Sequence, residues 1–339
     1  MFASMPAHEE TLNELASGLA EAGKRIEPIL LELFPPAPED YMSGPFWYHM
    51  GSGGKRIRPA LCLLCCEALG GESERAIHFA AAVEILHNLL IIHDDVEDGD
   101  TVRRDMPTVW VKFGIENAIN LGDYMLGRAY HATWLSPVDT EKRLRLVEAF
   151  TQTCEHTCLG QAIDLNSRGK DDFTIERYLE MVALKTGHYL ALGMVGGAII
   201  AGLHEQGVRE IQKLGCDMGS AFQIRDDLID LTQGKGRGGA KGNDIREGKP
   251  SILYAHAVSA ADEPDRRRLL EVMRKPRGET TDADVDWVVG LYERLGSLRF
   301  AREKADVLVN QAFDTIERIP VENKGFFRRV ARFMVDRMI

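Results

Sequence analysis

The chain has 339 residues, 45% of them apolar and 27% charged, a balance that excludes a disordered protein and fits an ordinary globular one. Its formal net charge of −11 argues against non-specific nucleic-acid binding, so an anionic ligand would need a local basic cluster to offset that field. The length exceeds a usual single domain, although one large all-α domain can occupy it.

In chain order, "MFASMPAHEETLNELASG" lacks both a basic n-region and an apolar h-region, so no signal peptide is expected. A Pro-rich break at 34–45 leads to "GSGGKRIRP" (51–59), which places Lys55, Arg56 and Arg58 in a glycine-rich turn ahead of a helix. It is not a Walker phosphate loop, because the upstream glycine is missing and Arg56 stands where Ser or Thr belongs. Cys62, Cys65 and Cys66 have helical spacing and no second ligand pair nearby, so core thiols in a reducing, cytoplasmic setting are expected. Helical periodicity runs through Ile77, Ala80, Ala81, Glu84, Ile85 and Asn88 and ends in "NLLIIHDDVEDGDTVRR" (88–104).

In that stretch Asp94 and Asp98 leave one helix face a turn apart, with Asp95 beside them. The negative end of the helix dipole falls at the same place, which makes a poor fold element and a good site for a divalent cation. Lys185 interrupts the apolar run "MVALKTGHYLALG" and therefore needs a partner. "YLALGMVGGAIIAGL" (189–203) is too short for a membrane span and, being rich in Gly and Ala, suits a buried helix with close neighbours. Next comes "AFQIRDDLIDLTQG", where Asp226, Asp227 and Asp230 repeat the D-D-x-x-D spacing, again at the end of an apolar helix. Mg²⁺ takes one or two carboxylates and completes its octahedron with phosphate oxygens and water, so two such clusters suggest several Mg²⁺ around a diphosphate.

Two motifs mislead. "GKGRGG" (234–239) matches G-x-G-x-x-G but follows a helix, not a strand, and so is no dinucleotide fingerprint. The segment from Asp94 to Asp105 imitates an EF-hand loop, yet Val96 fills a ligand position and Asp105 replaces the bidentate Glu. Strand signals are scarce, no repeat or long linker is evident, and the C-terminal "FFRRVARFMVDRMI" (326–339) reads as a packed amphipathic helix or a membrane-surface contact. A single bundle of ten or more helices over residues 1–339 is the expected architecture.

Together these residues resemble the trans-isoprenyl (polyprenyl) diphosphate synthases, geranylgeranyl or farnesyl type. "GGKRIRP" (53–59), "HDDVEDGDTVRR" and "FQIRDDLID" stand in that family's order, with a motif-bearing core of about 45–255. The resemblance implies the all-α isoprenoid synthase fold around a central cavity. It implies a homodimer and three Mg²⁺ per site, with isopentenyl diphosphate and an allylic diphosphate (dimethylallyl, geranyl or farnesyl) as substrates. It assigns isopentenyl diphosphate to Lys55, Arg58, His87 and Arg104. The allylic diphosphate falls to Arg103, Lys185 and Lys249, with metals on Asp94, Asp98 and Asp226 and with Asp95, Asp227 and Asp230 nearby. Thr186 and Gln223 match positions that stabilise the developing cation.

Three positions depart from the family pattern. Asp105 stands for Gly, Trp110 for His, and Gly239 for a flap lysine whose place Lys241 or Lys235 could take. The implied reaction joins isopentenyl diphosphate head to tail (1′-4) to the allylic partner, with the released diphosphate as base. No protein nucleophile is needed. Leu89 and Leu90, with Leu86 below them, lie beneath Asp94 where product length is set, and leucine there favours C20, with C15 next. A class I terpene cyclase would not need the Lys55, Arg58 and His87 set, and a non-catalytic subunit would not keep all six aspartates.

Overall fold

The computed structural model describes residues 17–37, 40–231 and 241–336. The fold is all-α, as the periodicity predicts. Contacts gather the chain into two compact units. One comprises Met1–Gln152, Ala191–Gln212 and Ile316–Phe333, and the other Thr153–Leu190, Lys213–Thr315 and Met334–Ile339. Neither is one continuous segment.

The first unit is built on α1 (Glu27–Leu33), α2 (Ser43–Gly51), α3 (Ile57–Ala68), α4 (Ile77–Glu97), α5 (Val109–Phe113) and α6 (Ile115–Trp134). It also holds the first part of α7 (Thr140–Ser167) and, beyond α8 (Ile175–Val182), most of α9 (His188–Ala201). Helix α4 is apolar nearly all round, and Phe79, Val83, Leu86 and Ile92 are each at most 1% exposed. That pattern marks a core helix. Ser73–Glu97 is long and apolar enough to cross a membrane by composition, but 67% of that window is buried inside the protein. Gly193 and Gly197 bring α9 against α3. A Cβ on Gly193 would lie 2.5 Å from the Arg58 carbonyl oxygen, and one on Gly197 2.3 Å from that of Cys62. This close approach clamps the first turns of α3, the turns that carry Arg58. Cys62, Cys65 and Cys66 are buried in the same layer, and the Cys65 Sγ–H donates to the Met194 carbonyl at 3.3 Å.

A feature the sequence pattern does not announce lies between α4 and α5. Val102–Arg103 and Met106–Pro107 form a two-stranded antiparallel hairpin. Its two turn residues, Arg104 (φ 52°) and Asp105 (φ 62°), are both left-handed. Positive φ at both central residues is the type I′ pattern, whose twist matches that of the strands and which normally selects Asn-Gly. Asp tolerates this region better than most residues, which explains why Asp105 can replace the expected glycine. Trp110 keeps a ring N–H where imidazole was expected: its Nε1 donates to the Asp100 carbonyl at 2.8 Å, beside the Thr108 hydroxyl at 2.9 Å. The short hairpin is thereby tied to α5.

The second unit contains the C-terminal part of α7, α8 and a wide π-type turn (Ala183–Gly187), then most of α10 (Glu205–Asp230) and α11 (Asn243–Arg246). Helices α12 (Ile252–Ala260), α13 (Glu263–Met273), α14 (Asp282–Arg294) and most of α15 (Ser297–Arg318) complete it. Its core includes Tyr178, Ile224, Tyr254, Leu269, Val288 and Leu291. Local signals start these helices where the sequence supplies a hydroxyl: Ser251 accepts the Tyr254 N–H at the head of α12, and Thr281 with Asp284 forms a capping box on α14. The C-terminal α16 (Gly325–Asp336) buries Phe326, Phe327, Val330 and Phe333, which agrees with the packed-helix reading of that basic segment.

Candidate active site

In the first unit, Gly54, Lys55, Arg56, Ile57, Arg58, Glu84, His87 and Arg104 line a cavity of about 540 Å³. Four of these, Lys55, Arg58, His87 and Arg104, come from the glycine-rich loop, α3, α4 and the hairpin turn, and they are the set assigned to isopentenyl diphosphate from sequence. The loop is shaped by glycine. Gly54 has φ +154°, and a Cβ there would sit 3.1 Å from Arg104 Nη1, so the guanidinium of Arg104 lies over bare backbone. Arg56 begins α3 at φ 45° and pairs with Glu27 of α1, which anchors the loop and occupies that guanidinium. Among the described residues the non-glycine positive-φ positions are Arg56, Arg104 and Asp105, all on the two loops at this cavity or its edge. Strain of this kind persists where surrounding structure over-determines it. The positive N-terminal end of α3 opens on the same space, a further attraction for an anion.

His87 Nε2 lies 3.5 Å from Arg58 Nη1. Burial, then the positive charges of Arg58 and Arg104, hold its pKa well below the ordinary value. The ring is therefore neutral near pH 7, and facing a guanidinium its Nε2 can only accept, which leaves the proton on Nδ1.

The first aspartate cluster closes α4. Asp94 is half-buried, Asp98 is 8% exposed, and the Asp98 N–H still bonds the Asp94 carbonyl at 2.8 Å, so the two stay one helical turn apart. Asp95 turns inward and is 1% exposed. Its Oδ1 accepts Arg103 Nε at 2.6 Å in an ion pair, with Nη2 2.5 Å away, and Asp100 stands 3.6 Å from the same guanidinium. Burial raises the Asp95 pKa to about 6 against the pull of Arg103. Asp95 and Asp100 thus share the charge of Arg103.

In the second unit the second cluster ends α10. Asp226 is half-buried. Asp227 accepts the Tyr178 hydroxyl at 2.7 Å and Gln223 Nε2 at 3.1 Å. Asp230 is fully buried and accepts the Asp244 N–H at 3.1 Å. Asp227 and Asp230 therefore hold local structure, and Asp226 is the member with more access. Thr186 and Gln223 meet, the Thr hydroxyl donating to Gln Oε1 at 3.3 Å. The partner that Lys185 needed is Asp164, at 2.6 Å and 4% exposed. Lys185 sits in the π-type turn, which shifts it off the register of a regular helix. Lys249 is not a solvated surface charge: it pairs at 2.8 Å with Glu247, which also meets Arg277 at 3.1 Å. Lys241 is exposed, while Lys235 and Gly239 of the flap lie outside the described residues.

Sequence reasoning missed Asp164, Glu247, Tyr178 and Glu84. An acid in "GQAIDLN" and a second in "IREGK" were visible, but nothing local says which cation each one meets.

Among the described residues no three His, Cys, Asp or Glu side chains converge on one point. The carboxylates of the two clusters are hard oxygen donors, the kind Mg²⁺ takes together with phosphate oxygens and water. Asp95 Oδ2 is a buried carboxylate oxygen with no hydrogen-bond partner among the described residues, a further sign that positive charge belongs close by.

The family model described as "Polyprenyl synthetase" matches residues 39–291. Geranylgeranyl pyrophosphate synthase of Geoglobus acetivorans is 32% identical over 292 residues, 86% of this chain and 89% of its own. Geranylfarnesyl diphosphate synthase of Natronomonas pharaonis is 29% identical over 96% of this chain and 98% of its own. The crystal structure of geranylgeranyl pyrophosphate synthetase from Pyrococcus horikoshii superposes with a TM-score of 0.87 at 33% identity, covering 96% of this chain and 98% of that one.

Proposed function

The chain belongs to the polyprenyl synthetase family, and from that premise we propose that it joins isopentenyl diphosphate to an allylic diphosphate to give geranylgeranyl diphosphate (C20). The observation that carries this reading is the cavity in which Lys55, Arg58, His87 and Arg104 converge. That cavity suits a second diphosphate, which a terpene cyclase does not need.

Lys55, Arg58 and Arg104 hold the isopentenyl diphosphate by charge-assisted hydrogen bonds, and neutral His87 orients Arg58. Arg103, Lys185 and Lys249 supply donors to the allylic diphosphate as its carbon–oxygen bond breaks. Each donor preorganised toward the leaving group contributes about 3–4 kcal/mol in a dry site. Asp94, Asp98 and Asp226 are the carboxylates we assign to Mg²⁺, with Asp227 and Asp230 supporting Asp226. When bound, the metal neutralises charge building on the diphosphate. Thr186 and Gln223, joined by a hydrogen bond, are the pair we assign to stabilising the allylic cation. The exposed Lys241 is the candidate that closes over the diphosphate in place of Gly239.

Product length rests on α4. Leu89 and Leu90 precede Asp94 by roughly 6–7.5 Å along the axis; Leu86 and Leu89 are 1% and 5% exposed and Leu90 is half-buried. Leucine blocks less than phenylalanine and more than alanine, which supports C20. The same reading takes 1–339 as one domain, because each unit is assembled from separated segments. It also takes the enzyme as a cytoplasmic homodimer, in keeping with Ile115, Ile119 and Trp134 exposed on α6. Incubation with labelled isopentenyl diphosphate, Mg²⁺ and C5, C10 or C15 allylic partners tests the whole. Absence of any elongated product refutes it, and a product of C15 or C25 refutes the length.

A further inference from the structure

The cavity that receives a diphosphate also contains an acid. Glu84 is 4% exposed on α4 and lines the cavity beside Lys55, Arg56, Arg58, His87 and Arg104. Its Oε1 accepts Asn88 Nδ2 at 3.1 Å, and Asn88 Oδ1 in turn faces His49 Nε2 at 3.0 Å. His49 is buried and its pKa is pushed down to about 4, so the neutral ring donates Nε2–H to Asn88. Every bond in this chain runs toward Glu84, from His49 through Asn88. The chain stops at Oε2, a buried oxygen with no hydrogen-bond partner among the described residues. A buried polar network open at one end, on the wall of a ligand cavity, calls for a group that completes it.

Charge says what that completion involves. Arg56 is occupied by Glu27, and His87 is neutral. Lys55, Arg58 and Arg104 line the same cavity as the carboxylate of Glu84. A diphosphate monoester brings about three negative charges at neutral pH. A second anion beside a buried carboxylate repels it unless that carboxylate is protonated, and among the described lining groups Glu84 is the one placed to take the proton. Burial already raises its pKa, opposed first by the Asn88 hydrogen bond and then by the pull of Arg58, Arg56 and Arg104. A bound diphosphate neutralises that pull.

We propose that Glu84 is a proton-linked positioning residue. It is ionised in the empty cavity and takes one proton from water when a diphosphate monoester enters, so that Oε2–H donates to a diphosphate oxygen. This rests on the assignment of the cavity to isopentenyl diphosphate and goes beyond it. No bond of the ligand is made or broken in the step.

Calorimetry with isopentenyl diphosphate, free of metal, in two buffers of different ionisation enthalpy counts the protons taken up. Wild type should take up about one proton more than Glu84→Gln near pH 7, and the ligand's own titration cancels in the difference. Glu84→Gln keeps the Asn88 acceptor, and Glu84→Met keeps the volume should the amide variant prove unstable. As pH rises, the KM for isopentenyl diphosphate should climb more steeply in wild type than in either variant, a difference that a purely structural role would not produce. Equal proton counts in wild type and a folded variant overturn the proposal. If wild type binds neither isopentenyl diphosphate nor inorganic diphosphate, the assignment of the cavity falls and this inference with it.

Discussion

Breaking the Lys185–Asp164 pair tests whether the second unit holds its cation in the way described. Nζ and Oδ2 are 2.6 Å apart, with side-chain exposures of 25% and 6%. Coulomb's law at an effective dielectric near 20 gives about 6 kcal/mol of attraction at that distance, most of it offset by desolvation. Removing one partner of a fully buried pair costs about 3–5 kcal/mol. Lys185 is partly solvated, and Arg168 remains 3.8 Å from Asp164 to share its charge. The expectation for Lys185→Met or Asp164→Asn is therefore about 2 kcal/mol each, with about 1–2 kcal/mol of coupling between them. Urea unfolding of wild type, both single variants and the double variant measures all three quantities. Steady-state kinetics separates the two roles of the pair. Lys185→Met, which removes a donor to the allylic diphosphate, should lower kcat/KM for that substrate by about 10²–10³. Asp164→Asn keeps the ammonium and should lose about tenfold or less. Coupling below about 0.3 kcal/mol, or equal kinetic losses in the two variants, would refute the reasoning.

Leu89→Phe or Leu90→Phe should shift the main product from C20 toward C15, read by chromatography after phosphatase treatment; an unchanged distribution in both places the tunnel floor elsewhere. His49 is a base whose folded pKa, about 4, lies below its unfolded value of 6.5. Its neutral burial therefore costs nothing above about pH 6.5 and weakens the fold as pH falls toward 4, by about 3 kcal/mol in all. His49→Gln, which can still donate to Asn88, should flatten that part of the pH–stability curve in denaturant titrations. Asp105→Gly relieves a left-handed residue in the hairpin turn and should raise stability by about 0.5 kcal/mol, seen as a small rise in Tm. Chelating Mg²⁺ should abolish turnover yet spare calorimetric binding of isopentenyl diphosphate, because among the described residues Glu84 is the only carboxylate lining the basic cavity.

Much of the candidate site was legible from spacing alone. The i, i+4 relation of Asp94 and Asp98, and of Asp226 and Asp230, follows from helix geometry and needs no tertiary information. The run "GGKRIRP" likewise announced a basic loop, since the glycines permit its backbone and proline follows the helix start. The periodic face of α4 even contained Glu84 and Asn88, but periodicity places a residue on a buried face and does not say what lies opposite. Asp105 looked like an unexplained departure, and only its φ of 62° shows what the position demands.

Sequence by itself determined an all-α chain, two aspartate clusters at helix ends and the basic residues available to meet anions. These arise from interactions within a helical turn or a short loop, where spacing dictates geometry. Tertiary structure decided which cation each acid takes. Arg56 goes to Glu27, Lys185 to Asp164 and Lys249 to Glu247, and Arg103 of the hairpin to Asp95 of α4. It also decided that Glu84 and His87 share one cavity with Lys55, Arg58 and Arg104. Several of these choices join distant parts of the chain, and a buried charge takes whichever partner packing brings within reach, because leaving it unpaired would cost several kcal/mol.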